Sequence, residues 1–284
     1  MPAPVLSVNN LALTSAGRQL VHPLSFSIQH GECVALLGGS GSGKSLTAAA
    51  LTGTVPEGMT VSGEISFATR PAVADRTAAG RTVAGWTAAG RTAAAPSNAA
   101  LIHQDPQTSL NPLVPLGKQL LIPLRKAGLS RADALNQAAR FLAQAGIEEP
   151  AVVLPRYTGE LSGGQLQRVC VALALACGST VLVADEPTTA LDAVTRLKVL
   201  TALRAWGTKG RGLLFITHDL IAAASLCSRA LVIEDGRIVE KATMDELLRN
   251  PRHPFTRRLI RSSAGTAPLA VPAEPADTET AVAA

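Results

Sequence analysis

The sequence is poor in aromatic residues: Phe, Trp and Tyr make up 3% of its 284 residues, while 47% are hydrophobic. A core with few rings must be built from Ala, Val and Leu, which suits helices packed on a parallel sheet. Cysteine is scarce too. Cys33, Cys170, Cys177 and Cys227 lie far apart or in apolar stretches, with neither metal-ligand spacing nor a disulfide framework. Buried free thiols in a reducing compartment are expected. Long apolar runs are missing as well. The most apolar stretch, 169–184, is broken by Gly178, Ser179 and Thr180. It falls short of the roughly 20 residues that a membrane helix needs. The start, Met1-Pro2-Ala3-Pro4, lacks a basic segment followed by an apolar one, so no secretory signal is expected. The formal charge is +5, yet no Lys/Arg-rich run concentrates it. That pattern argues against a groove for a phosphate backbone and leaves a mildly basic surface.

What remains is a chain long enough for one large α/β domain. Residues 5–13 alternate weakly and read as an edge strand, and 24–28 alternate cleanly and read as a second strand. Cys33-Val-Ala-Leu-Leu37 is the continuous apolar run of a buried central strand. Ser130 can cap a helix over 130–145, with Leu135, Ala138, Ala139 and Leu142 as its apolar stripe and Gly146 at its end. Helices are expected at 45–51, 164–176 and 194–206, and strands at 181–184 and 213–217. Asp235-Gly236 between two short apolar runs is a hairpin signal. Between 76 and 95 a five-residue repeat rich in Ala, Thr and Gly matches neither helix nor strand period. Residues 70–98 are therefore read as a low-complexity surface insertion, and 263–284 as a disordered tail.

Three motifs carry chemistry. Gly38-Gly39-Ser40-Gly41-Ser42-Gly43-Lys44-Ser45 satisfies G-x-x-x-x-G-K-[ST], with an apolar strand before it and a helix after it. Its glycines let successive backbone N–H groups face an anion at a helix N-terminus. Lys44 would reach the β- and γ-phosphates of a nucleotide, and the Ser45 hydroxyl would ligate Mg²⁺. The apolar strand 181–184 delivers Asp185 and Glu186 at its carboxyl end: Asp185 to hold Mg²⁺, Glu186 to polarise an attacking water. Leu161-Ser162-Gly163-Gly164-Gln165 is a second glycine-bearing helix start, and a spare one if a single chain binds all the phosphate.

Together these motifs resemble the ATP-binding subunit of an ABC transporter, over residues 5–260. The resemblance implies a P-loop NTPase of α/β class with a RecA-like core, an antiparallel β subdomain and an α-helical signature subdomain. On it, 1–262 form the nucleotide-binding domain, with the helical subdomain at about 105–165. ATP and Mg²⁺ are the implied ligands. Two such subunits meet head to tail, so that Ser162 and Gly164 serve the γ-phosphate held by the partner. Gln104 matches the glutamine that senses Mg²⁺ and the attacking water, Asp192 lies in the loop crossing the dimer interface, and His218 matches the switch histidine. Such subunits often stack adenine on an early aromatic residue, and here 13–21 contain none.

Gln104-Asp-Pro-Gln-Thr-Ser-Leu-Asn-Pro112, Tyr157-Thr-Gly-Glu-Leu161 and Pro251-Arg-His-Pro-Phe-Thr256 resemble the branch that serves dipeptide, oligopeptide and nickel importers. Leu20-Val-His-Pro-Leu-Ser25, with Leu46-Thr47 after the phosphate loop, is most similar to the nickel type. The implied partners are a second, different ATPase subunit, two membrane-spanning permeases and an extracytoplasmic cargo-binding protein, without nucleic acid. The implied location is peripheral, on the cytoplasmic face of the cell membrane. The rival is a soluble ATPase clamp on nucleic acid or ribosomes. Such relatives usually carry two cassettes or long coiled coils, and this chain has a single cassette and no sustained heptads.

Overall fold

The computed structural model describes residues 3–68, 98–189, 191–207 and 210–264. The five-residue repeat and the tail beyond 264 lie outside the described residues.

The chain opens with β1 (Leu6–Ser15) and β2 (Arg18–Ile28), and then runs as β3 (Cys33–Gly38) into α1 (Lys44–Thr52). β4 (Met59–Phe67) returns to pair with β1, giving a three-stranded antiparallel sheet in the order β2-β1-β4. β1 is thus its central strand and not an edge. The weak alternation that suggested an edge comes from a register shift between Asn9 and Ala12, with Asn10 in the left-handed region at φ 50°. A bulge of this kind turns one side chain out of sequence without freeing the strand. Gly63 faces it, and a Cβ there would stand 2.4 Å from the Asn10 carbonyl oxygen.

A six-stranded sheet follows, in the order β5-β6-β7-β3-β8-β9. Its members are β5 (Ala99–Ile102), β6 (Val181–Asp185), β7 (Gly212–Thr217), β8 (Arg229–Glu234) and β9 (Arg237–Thr243), with β3 between β7 and β8. All but β9 run parallel. The β8–β9 turn carries positive φ at both Asp235 and Gly236, the geometry that a two-residue hairpin demands. β5 begins just after Asn98, whose carbonyl accepts the N–H groups of Thr180 and Val181, so the chain is anchored there.

The strands are apolar on both faces. Val34, Leu36, Val183, Leu214 and Ile216 pack with α1 and the three-stranded sheet. Ala35, Leu37, Leu182, Ala184, Leu213 and Phe215 pack on the other face with α5 (Gly163–Ala176), α6 (Ala193–Gly207) and α7 (Leu220–Leu226). Side chains alternate across a strand, which is why neighbours in sequence enter different cores.

α2 (Leu116–Lys126), α3 (Arg131–Gln144) and the single turn α4 (Pro150–Val153) form a helical group that leans on α5. Ser130 caps α3 as expected, its Oγ accepting the Asp133 N–H at 3.1 Å. Gly146 lies at φ 89° where the helix ends. The buried stripe is Ala134, Ala138 and Leu142: Ala138 and Leu142 are buried as expected, while Ala134 takes the place of Leu135, which points outward. The small side chains at an i, i+4 spacing let α3 sit close to its neighbours, and the larger Leu135 falls outside that contact. The chain closes with α8 (Met244–Arg249) and α9 (Pro254–Ala264), so residues 263 and 264 belong to a helix and not to the tail.

All four cysteines are free, but only Cys170 and Cys227 are buried; Cys33 is half-buried and Cys177 exposed. Burial pushes the Cys170 thiol up to about 12, so it is inert as a nucleophile. Among the described residues, no helix is long and apolar enough to cross a membrane.

Candidate functional site

Parallel strands bring their carboxyl ends to one edge of a sheet, and ligands bind beyond that edge. Gly38 ends β3, Asp185 ends β6, Thr217 ends β7, and Ile102, two residues before Gln104, ends β5. Residues 38–45, Gln104, Asp185, Glu186 and His218 therefore meet at one edge.

The loop from Gly38 to Gly43 is shaped by its glycines where the fold leaves no choice. A Cβ on Gly38 would lie 2.4 Å from the Ile233 carbonyl oxygen. Gly41 and Gly43 take φ values of 75° and 100°. Gly43 caps α1 without a side-chain hydrogen bond, so no side chain answers the first N–H groups of that helix at its cap. Those donors, with the partial positive charge of the helix start, make a seat for an anion. Lys44 is buried, and its Nζ donates to the carbonyls of Gly38 at 2.9 Å and Gly39 at 2.7 Å. Burial pulls its ammonium below the usual lysine range, against the pull of Glu186 and Asp185. A phosphate would relieve this.

Asp185 is buried, and its Oδ1 has no hydrogen-bond partner. Burial pushes its carboxyl up; a hydrogen bond from Ser45 opposes the rise, Glu186 adds to it, and Lys44 and His103 oppose it. An orphaned carboxylate oxygen beside a serine hydroxyl fits a hard cation. Among the described residues, no group of three or more His, Cys, Asp and Glu could hold a metal. The Asp185 oxygen and the Ser45 hydroxyl fit Mg²⁺, which is commonly held by one or two protein oxygens together with substrate phosphates and water.

Glu186 takes φ 48°, unusual for a residue with a side chain. Its carboxylate explains how that is held. Oε1 accepts the His218 backbone N–H at 3.0 Å and stands 2.6 Å from His218 Nδ1. Oε2 accepts the hydroxyls of Thr189 at 2.8 Å and Thr217 at 3.2 Å. A hydrogen bond to a charged group contributes about 1.5–3 kcal/mol. Several of them outweigh the roughly 1–3 kcal/mol that such a backbone conformation costs. His218 itself is largely exposed, so its ring can turn toward a ligand.

The signature sits elsewhere. α5 packs on the opposite face of the sheet from α1. Ser162 and Gln165 close a capping box on its N-terminus: Oγ of Ser162 accepts the Gln165 N–H at 3.3 Å, and Gln165 Oε1 accepts the Ser162 N–H at 3.0 Å. Ser162 and Gly163 are exposed. A Cβ on Gly163 would meet nothing within 4 Å, and one on Gly164 would meet only Leu191 Cδ2, at 3.5 Å. Asp192 is exposed beside it and accepts the Thr195 N–H at 2.9 Å; the Thr195 hydroxyl first, and then this N–H, hold its carboxyl below the usual range. Ala190 lies outside the described residues.

The sequence reading passed over His103, Thr189 and Thr217. His103 lies near enough to bias Asp185, and the two threonines hold Glu186. Only the position of Thr217 beside a strand end offered a signal; the other two are defined by proximity in space.

Residues 21–189 match the family model described as "ABC transporter". The chain is similar to the glutathione import ATP-binding protein GsiA of Shigella flexneri serotype 5b (strain 8401), 37% identical over 262 residues. GsiA of Escherichia coli (strain K12) is likewise 37% identical over 262 residues. Both alignments cover 90% of this chain and 41% of the relative, so the chain spans well under half the length of these proteins. In fold it is similar to an ATP-binding subunit of an ABC transporter, with a TM-score of 0.69 at 23% identity, covering 92% of this chain and 99% of the other. A dimeric ATP-binding cassette in a post-hydrolysis state, bound to ADP and Pi, gives 0.69 and 23% with 84% of this chain and 98% of the other covered. These likenesses are of fold: the six-stranded sheet and its helices share the α/β architecture of those structures.

Proposed function

The chain belongs to the ABC transporter family, and from that premise we propose that it binds and hydrolyses ATP to energise an importer of the peptide class. The observation that carries this reading is the shared strand edge. It gathers a buried lysine on the phosphate-loop carbonyls, an unpartnered buried aspartate, and a glutamate tied to a histidine.

Residues 38–45 cradle the phosphates with backbone N–H groups, and Lys44 turns from the Gly38 and Gly39 carbonyls to the β- and γ-phosphates. Ser45, Asp185 and Gln104 would hold Mg²⁺, which when bound neutralises developing charge on the phosphates. Glu186 polarises the attacking water, and His218 contacts the γ-phosphate and steadies Glu186. The chemistry rests on position and electrostatics, without a covalent intermediate on the protein.

The signature works on the partner's nucleotide. Glycine in a helix costs up to about 1 kcal/mol relative to alanine. At Gly163 and Gly164 the chain's own packing does not require it. A bare backbone at an exposed helix start is explained by a surface arriving from outside, and a γ-phosphate held by a second subunit, docked head to tail, supplies it. Asp192 lies where that subunit would meet it.

The cargo is a small peptide, supported by likeness to glutathione import proteins; the branch motifs at 104–112 and 251–256 fit peptide and nickel importers alike. Nickel or a metal chelate is the second reading, favoured by 20–25 and 46–47. The partners are a different ATPase subunit, two permeases and a cargo-binding protein, and the chain sits peripherally on the cytoplasmic face of the membrane. The segment 105–125 and the helices to about 160 dock the permeases.

The test is Glu186→Gln. ATP turnover of the assembled pair should fall about a thousandfold, within the range for loss of a general base, while ATP stays bound and the dimer is trapped. Unchanged turnover would remove Glu186 from this role, and co-purification with ribosomes or DNA instead of two membrane proteins would sink the importer.

A further inference from the structure

The motif at 251–256 marks a branch, and hydrolysis as described gives it no task. The fold nevertheless carries it back to the phosphate loop. Glu240, buried on β9, accepts the backbone N–H groups of Arg252 and His253, each at 2.9 Å. A buried carboxylate satisfied by two main-chain donors fixes a chain reversal firmly. Pro254 then opens α9, where its missing N–H costs nothing.

The first turn of α9 directs Phe255 at the loop. Its Cζ is the atom facing Gly39: a Cβ added there would lie 3.9 Å from it, at ordinary van der Waals distance. Gly39 is one of the two residues whose carbonyls receive Lys44 Nζ. One turn further on, Arg258 donates to Glu234 Oε1 at 3.0 Å, with its guanidinium 5.7 Å from the Phe255 ring centre. His253 Nδ1 stands 3.7 Å from the other oxygen of Glu234. Glu234 leads into the Asp235-Gly236 turn, and the Gly236 N–H donates to the Ser42 carbonyl at 3.0 Å. That turn is itself wedged: a Cβ on Gly236 would lie 2.4 Å from the Leu20 carbonyl oxygen. The C-terminal segment thus faces the loop at Gly39 and is linked to Ser42 through the hairpin.

We propose that residues 251–258 are a positioning element of the nucleotide site, with Phe255 bracing the loop at Gly39 and Arg258 holding the hairpin that fixes Ser42. A glycine-rich loop has much freedom to lose when its N–H groups converge on phosphates, and a brace present before binding lowers that cost. The proposal rests on the reading that residues 38–45 hold ATP.

The test measures the dissociation constant of trinitrophenyl-ATP on the full chain, beside the thermal unfolding midpoint without nucleotide. Phe255→Ala should weaken binding about fivefold, the low end of couplings between sites. Phe255→Tyr, which keeps the ring, should restore it. Leu259→Ala removes apolar contact between the same helix and the core cluster it packs on, and should weaken binding by less than about twofold while lowering the midpoint. Arg258→Ala, at an exposed position, should act as Phe255→Ala does but more weakly, and it decides the matter if Phe255→Ala does not fold. Wild-type affinity in the foldable variants, or equal losses in Phe255→Ala and Leu259→Ala, would overturn the brace. Undiminished binding by Lys44→Ala would instead overturn the assignment of the loop itself, so the two failures are separable.

Discussion

The two glycine-bearing helix starts of this chain differ in what their glycines answer to. At the phosphate loop the fold itself demands them: Gly38 is pressed against Ile233, and Gly41 and Gly43 take left-handed φ. Its helix is left without a side-chain cap, and a lysine is buried over it. At the signature the helix is already closed by Ser162 and Gln165, and the glycines face open space or an ordinary contact. One start is an anion seat complete within the chain. The other makes sense only against something the chain does not contain. Two such starts on opposite faces of one sheet fit the division of labour between subunits proposed above.

The largest effect should come from breaking the self-contained end. Lys44→Ala removes a charge-assisted contact of about 1.5–3 kcal/mol. The isolated chain should then bind trinitrophenyl-ATP about a hundredfold more weakly. A loss confined to the assembled pair would mean that this end, too, depends on a partner, and the contrast would collapse.

Gly164→Ala sharpens the other side. The added methyl meets only Leu191 at ordinary distance, and alanine is the better helix former. The isolated chain should bind nucleotide unchanged and unfold no earlier. The assembled pair should lose about tenfold in turnover, the equivalent of about 1.4 kcal/mol of misplaced γ-phosphate contact. Weaker binding by the isolated chain would place the signature in its own nucleotide site.

The same contrast explains what could be read from the sequence. The phosphate loop, the Ser130 cap and the Asp235-Gly236 turn are local, each written in neighbouring residues. β1 was misjudged because a bulge at Asn10 breaks its alternation, and that bulge is held by Gly63 from a distant strand. α2 was not anticipated, for it carries Pro123 inside the helix, and β4 was missed with Gly63 in its middle. Within the site, the motif residues are legible because each lies in a short contiguous motif at or just past a strand end, or at a helix start. Thr189, His103 and Phe255 are not, since what they do is defined by proximity in space to residues 3, 82 and 216 positions away in sequence, Glu186, Asp185 and Gly39.

The smallest effect separates two ways in which a site can cost stability. Asp185 is buried with one oxygen unsatisfied, and burial raises its carboxyl despite Ser45, Lys44 and His103. A carboxyl raised in the folded state binds protons more tightly there than in the unfolded chain, so the fold loses stability as pH rises through that window. Above it the full penalty is present. Asp185→Asn keeps the shape and removes the charge. It also takes away a partner that supports the Lys44 ammonium, but Asp185 is the lesser of the two carboxylates acting there. The nucleotide-free chain should therefore unfold about 2–4 °C higher near neutral pH, the shift that about 1 kcal/mol gives a domain of this size. The gain should shrink as pH falls toward the ordinary aspartate range of about 4, where the unfolded chain is protonated as well. Any gain from Gly164→Ala is conformational and should not change with pH. A pH-independent gain in Asp185→Asn would show that the phosphate-loop end is not electrostatically strained, and that the two ends differ in shape alone.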